Sequence, residues 1–232
     1  MESEVFPSRF LKDRVQLQIL QREIAKQVVV RNCVGKLDVV AGCDVAYKET
    51  RGCAAVVLLS YPVLDTVEVV RAEADVGFPY IPGFLAFREL PLILCALQKL
   101  KTTPHCIIVD GHGIAHPRHA GLACHLGLLS AIPTIGCAKT LLVGDYVEPQ
   151  KQKGAHSPLR WEGRTVGSVL RSRAGAKPVF VSPGHLVDVD TAREIVLRCC
   201  ARYRTPEPLR LAHIQSRKEF TTHRSRGSRP RT

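Results

Sequence analysis

Apolar residues recur near helical spacing at the start of the chain. Phe10, Leu11, Val15, Leu17, Leu20, Ile24 and Val28 are separated by charges and amides, which predicts an amphipathic helix over residues 9–30. After Asn32 the period changes. Runs at 37–47, 53–59 and 67–76 are rich in apolar and β-branched residues and are separated by Lys48-Glu49-Thr50-Arg51-Gly52 and by Tyr61-Pro62, the pattern of three strands in a meander. Residues 83–101 are apolar on most faces and predict a helix, with Pro91 near its first turns, where it must either start the regular helix or kink it. A buried strand at 106–109 then closes on Asp110-Gly111-His112-Gly113, followed by a helix at 120–130 and a short strand at 134–138. Two further strands at 164–171 and 179–182 and a helix at 191–203 complete the pattern, while the polar, basic stretch 149–161 reads as a mobile loop. No internal repeat is present.

A meander followed by alternating strands and helices implies a mixed sheet with helices packed on it. With acids at the strand ends, it fits a ribonuclease H-like α/β fold. The 232 residues suffice for one compact domain. Hydrophobic residues make up 45% of the chain and mean hydropathy is +0.01. The longest apolar candidate, 84–97, is interrupted by Arg88, Glu89 and Pro91, so no membrane span is expected. Residues 1–10 carry Glu2 and Glu4 and lack the apolar core of a secretory signal, giving an expectation of a cytoplasmic protein.

Nine cysteines, an odd number in apolar contexts such as Cys43, Cys53, Cys95, Cys106, Cys124 and Cys137, read as buried free thiols. There is no C-x-x-C pair, and the adjacent Cys199 and Cys200 have no second pair at zinc spacing. The net charge of +12 favours a polyanionic partner. Six basic residues against Glu219 mark 214–232 as a separate basic tail, either a solvated disordered end or a loose phosphate-binding arm, and residues 1–213 as the folded domain.

Three acids stand out by context. Asp44 lies within the apolar run 39–47, Glu89 within Phe87-Arg88-Glu89, and Asp110 closes Ile107-Ile108-Val109. A carboxylate buried in a strand is costly unless a cation compensates it. Converging carboxylates would form a hard oxygen site suited to Mg²⁺ or Mn²⁺; taken singly, each acid could equally be a salt-bridged or turn-capping residue. In Pro79-Tyr80-Ile81-Pro82, two prolines stiffen a short extended loop, and Tyr80 and Ile81 offer planar and apolar surface for insertion between bases. The alternative is a Pro-rich turn whose Tyr and Ile close the core.

The segments GCDVAY (42–47), FPYIPGFLAFRE (78–89), VDGHGIAHPRHAGLACHLG (109–127), IGCAKTLL (135–142), KPVFVSPGH (177–185) and PEPLRLAH (206–213) resemble the endonuclease V family across 39–213. The resemblance implies a ribonuclease H-like fold and Mg²⁺-dependent nicking of DNA at the second phosphodiester bond 3′ to deoxyinosine, leaving 3′-hydroxyl and 5′-phosphate ends. It makes Asp44, Asp110 and Glu89 metal-binding acids, adds Lys139 and His213 to the catalytic set, and suggests for His116 a phosphate contact or the orienting of an acid. It also makes 79–82 a strand-separating wedge. Hypoxanthine offers an O6 acceptor and an N1–H donor, and glycines allow the close backbone approach that could read them. Gly83, Gly111, Gly113, Gly121 and Gly136, with Leu85 and Leu142 as apolar walls, are the candidate pocket residues. The partner is then DNA containing deaminated bases, cut by a monomer. An inosine-specific ribonuclease remains open, as does a non-catalytic basic nucleic-acid-binding protein.

Overall fold

The computed structural model describes residues 13–218. Helix α1 (Arg14–Gln27) begins at an Asp13 side chain that accepts the Val15 N–H. Strands β1 (Val39–Lys48), β2 (Arg51–Ser60) and β3 (Thr66–Asp75) form the expected meander. Then follow α2 (Leu85–Leu97), β4 (Cys106–Val109), α3 (Leu122–Ser130) and β5 (Thr134–Ala138). Strands β6 (His156–Trp161), β7 (Arg164–Leu170) and β8 (Val179–His185) precede α4 (Val189–Cys199) and α5 (Glu207–Lys218). All eight strands form one sheet in the order β3-β2-β1-β4-β5-β8-β7-β6. Only β1, β4 and β5 run parallel at its centre; every other pairing is antiparallel.

The mixed sheet buries apolar side chains on both faces, as a sheet covered by helices must. On one face Val40, Ile108, Ile135 and Val181 pack with Ala192, Ile195 and Val196 of α4 and Leu209 and Ala212 of α5. On the other, Ala41, Val56, Ile107 and Val109 pack with Leu90 and Ile93 of α2 and Leu122 and Leu126 of α3. A smaller cluster of Leu17, Phe78, Phe84 and Phe87 joins α1 to the start of α2. Gly42 decides how close α5 comes to the sheet, because a Cβ there would collide with the Pro208 carbonyl group.

Several expectations are corrected. The segment 149–161 is not a mobile loop throughout. Its second half is β6, an edge strand whose Ser157 and Leu159 point inward and whose Pro158 costs no ladder bond there. Its first half is gripped by the buried Arg171, which donates to the Pro149 and Gln150 carbonyls and pairs with Glu148. Helix α5 was absent from the sequence reading, and it carries the chain across the expected boundary at 214 to Lys218. The remainder of the basic tail, 219–232, lies outside the described residues, as do 1–12. Helix α1 buries Leu17 and Gln21, leaving Val15, Ile19 and Leu20 exposed. Helix α2 runs through Pro91, which therefore does not start the helix and leaves one backbone N–H missing inside it. All nine cysteines are free, but Cys33 and Cys95 are exposed rather than buried.

Candidate active site

Strand register brings the two aspartates together. In the parallel pair β1 and β4, Cys43 lies opposite Val109, so the next residue on each strand is Asp44 and Asp110. Side chains alternate between faces along a strand, and the neighbours Cys43 and Val109 both point into the α2 side, so Asp44 and Asp110 point to the α5 side. There Asp44 Oδ2 accepts from Ser216 Oγ at 2.8 Å and meets His213 Nδ1 at 3.3 Å, both on α5. Lys139 follows the last residue of β5, which is parallel to β4, and its Nζ reaches Asp110 Oδ2 at 2.6 Å.

Glu89 comes from α2, across the sheet from α5. Its carboxyl is held well above the ordinary carboxylate range, first by burial and then by the negative charge of Asp44 and Asp110; Arg88 opposes this weakly. Asp44 and Asp110 are therefore near enough to Glu89 for their charge to oppose its ionisation. That donor set fits a hard divalent cation, whose charge would relieve the repulsion and favour the ionised form of Glu89. Among the described residues, no three His, Cys, Asp or Glu side chains stand close enough together to form a ready ligand cluster; Ser216 and His213 meet Asp44 Oδ2, and Lys139 meets Asp110 Oδ2.

Beside the acids lies a cavity of about 400 Å³. Tyr80, Pro82, Gly83 and Leu85 form one wall, Gly111, Gly121 and Leu142 another, and Asp110 and Lys139 border it. Two of the proposed pocket glycines are placed elsewhere. A Cβ on Gly113 would strike the Pro183 carbonyl and one on Gly136 would strike the Gly113 backbone, so both serve close packing beneath the cavity. His112, quoted in the sequence motif but given no role, lines the cavity, and burial lowers it to about 4, so it is neutral at ordinary pH.

The loop that carries Tyr80 ends in a tight turn. The Phe84 N–H donates to the Ile81 carbonyl, with Pro82 next and Gly83 at φ +78°, the signature of a type II turn. Tyr80 is 68% exposed, and Pro79 and Pro82 are exposed with it. Ile81 instead packs partly buried against the Leu17–Phe87 cluster, so it anchors the loop rather than offering surface. His116 is also not free for a phosphate. Its Nδ1 accepts the Arg118 N–H at 3.2 Å and its Nε2 donates to the Gly83 carbonyl at 3.1 Å. Burial and then Arg118 lower it to about 3, keeping this neutral tautomer in place.

Sequence reasoning missed Ser216, Gln21 and Arg204. Ser216 is fully buried and belongs to a helix that the pattern did not reveal. Arg204 donates to the Lys139 carbonyl at 3.1 Å, tying the segment between α4 and α5 to the end of β5. Ser216 and Arg204 lie near the motif at 206–213, which says nothing about contact, and Gln21 lies near no quoted motif.

A mixed sheet with acids side by side on its central parallel strands, Asp44 within β1 and Asp110 just past β4, next to a cavity, defines a ribonuclease H-like protein with a nuclease-type site. The comparisons narrow the class. A sequence profile for Endonuclease V matches residues 22–214. The endonuclease V of Dehalococcoides mccartyi (strain BAV1) is 48% identical over 84% of this chain and 89% of its own length. The crystal structure of endonuclease V from Streptomyces avermitilis superposes with a TM-score of 0.87 at 39% identity, covering 93% of this chain and 96% of that one. Endonuclease V of Ciona intestinalis, solved in complex with a 24mer DNA containing an inosine followed by a ribo-adenosine, gives a TM-score of 0.78 at 28% identity, covering 89% and 97%. The chain belongs to the endonuclease V family.

Proposed function

We propose that this protein nicks DNA beside deoxyinosine, at the second phosphodiester bond 3′ to the lesion, leaving 3′-hydroxyl and 5′-phosphate ends, and so begins the repair of deaminated adenine. The observation that carries this reading is the placement of Asp44, within β1, beside Asp110, just past the end of the parallel neighbour β4, with Asp110 bordering the cavity of about 400 Å³. A base flipped into that cavity would bring the following backbone to the acids. The bound inosine of the Ciona relative supports the choice of base.

Asp44, Asp110 and Glu89 would hold Mg²⁺, or Mn²⁺ in its place. Bound there, it would supply Lewis-acid activation of a water and offset charge on the phosphate. The chain's own groups do the rest. Lys139 is aligned by Asp110 and can stabilise negative charge developing on the scissile phosphate, while His213 and Ser216 fix the orientation of Asp44 and leave His213, half exposed, able to pass a proton. Tyr80 and its two prolines would enter the duplex beside the lesion, and Gly83, Leu85, Gly111, Gly121 and Leu142 would enclose the hypoxanthine.

Inosine in RNA is a second substrate reading. It is favoured by the ribo-adenosine that follows inosine in the Ciona complex, a nucleotide that carries a 2′-hydroxyl next to the base. The test is a nicking assay on matched inosine and adenine strands, as DNA and RNA, with Mg²⁺, Mn²⁺ or EDTA. Cutting of inosine strands alone, abolished by EDTA and restored by either metal, is expected. Cutting that survives EDTA removes the metal mechanism, and binding with no cutting leaves a non-catalytic nucleic-acid-binding protein.

A further inference from the structure

Three donors converge on a single carbonyl oxygen, that of Gly83 at the end of the exposed loop. They are Gln21 Nε2 at 3.0 Å, Arg118 Nη2 at 2.8 Å and His116 Nε2 at 3.1 Å. Gln21 stands on α1 and is 1% exposed; its Oε1 accepts from Arg118 Nε at 2.5 Å, and its Nε2 also reaches the Ala120 carbonyl at 3.4 Å. The Arg118 guanidinium lies 4.7 Å over the Phe84 ring. An amide and a guanidinium therefore bridge α1, the 116–120 segment and the loop in one connected network. Buried polar groups linked in this way lock one geometry, because leaving any of them unpaired is costly.

The other end of the loop is held as well. Arg88 Nη1 donates to the Phe78 carbonyl at 2.7 Å and stacks 4.1 Å over the Tyr47 ring. The stretch from Pro79 to Pro82 thus projects between two pinned carbonyls. We propose that Gln21 and Arg118 are positioning residues for strand separation: they brace the Gly83 turn so that Tyr80 holds its place against a duplex, making α1 a working part of lesion opening. This rests on the substrate reading given above. A loop that yields under load would separate strands poorly yet still accept a strand that is already open. The two substrates consequently report different things.

The experiment measures kcat and KM on inosine within duplex DNA and within the same strand alone, for the wild type, Gln21→Glu and Arg118→Lys. Gln21→Glu keeps an acceptor for Arg118 and removes both donors, so it loosens the turn while conserving the α1 contact; Arg118→Lys keeps the charge and removes the bridging fork. Each variant is expected to lose about tenfold in kcat/KM on the duplex, the effect of about one lost hydrogen bond, and less than about threefold on the single strand. Equal losses on both substrates would reduce the clamp to ordinary fold support and overturn the proposal, as would undiminished duplex cleavage. Wild-type protein that cuts neither inosine substrate would instead defeat the substrate reading itself, a result that leaves the clamp variants no part in the failure.

Discussion

The acids and the exposed loop sit side by side, but they are held in place by different means. Asp44 and Asp110 ride on strands whose register is fixed by continuous pairing, from Val40↔Cys106 to Cys43↔Val109. Their positions follow from the backbone ladder and from apolar packing on both faces of the sheet. Pro79 to Pro82 has no ladder at all. Its conformation depends on a type II turn, one partly buried isoleucine, and side chains donating to the carbonyls at its two ends. A charge that must meet others of its kind is best carried by a rigid strand, whereas a surface that must enter a partner is carried by a loop and stiffened from behind.

The largest effect expected from this contrast belongs to the acids. Asp44→Ala or Asp110→Ala should lower cleavage by roughly 10³-fold on duplex and single strand alike, since an electrostatic group at the reacting phosphate is lost in both. Kinetics on the paired substrates check this; a loss confined to the duplex would move the aspartates into the loop's class. Next comes Gly42→Ala, which pushes α5 away from β1 and takes Ser216 and His213 with it. It should destabilise the protein by about 1–3 kcal/mol, as overpacking does, and a thermal melt that matches wild type would show that α5 is not seated on that glycine.

The histidines behind the cavity give a pH signature. His112 and His125 are lowered to about 4 and His116 to about 3, from 6.5, with burial the leading cause for each. Between about pH 6.5 and 4 the unfolded chain therefore binds more protons than the folded one, so stability is present above that window and is lost as pH falls through it. Each such histidine can contribute up to about 1.4 kcal/mol per pH unit. Melting temperatures from pH 7 to 4 should fall less steeply in His125→Leu, whose imidazole is fully buried edge-on to Phe87 at 5.2 Å; an unchanged slope would exclude His125 as a source. The smallest change is Tyr80→Ala, expected to reduce duplex cleavage roughly tenfold through lost stacking and to spare single strands. Matching losses on both would mean that Tyr80 shapes the cavity and does not part the strands.

Much of this molecule was legible in the order of its residues. The meander, the strands at 106–109 and 134–138, and Asp110 at a strand end follow from period and burial, because a short apolar run such as Cys106 to Val109, closed by turn residues, fits a covered strand; Asp44 lies within β1 rather than at its end. Helix α5 escaped notice because its buried positions, Pro208, Leu209, Ala212 and Ser216, include small and polar residues that make a faint apolar stripe. Helical spacing in α1 likewise pointed to Val15, Leu17 and Leu20, yet of these the structure buries only Leu17, together with the amide of Gln21. An amide becomes an interior residue only when partners arrive from 62 and 99 positions away, at Gly83 and Ala120. The same holds for Gly113, Gly136 and His116: residue type announced close approach or a titratable ring, and the chain's path decided what each would meet. Local pattern determines which backbone states are affordable for a segment, whereas a hydrogen bond between distant segments exists only once the whole sheet has brought them within 3 Å of each other.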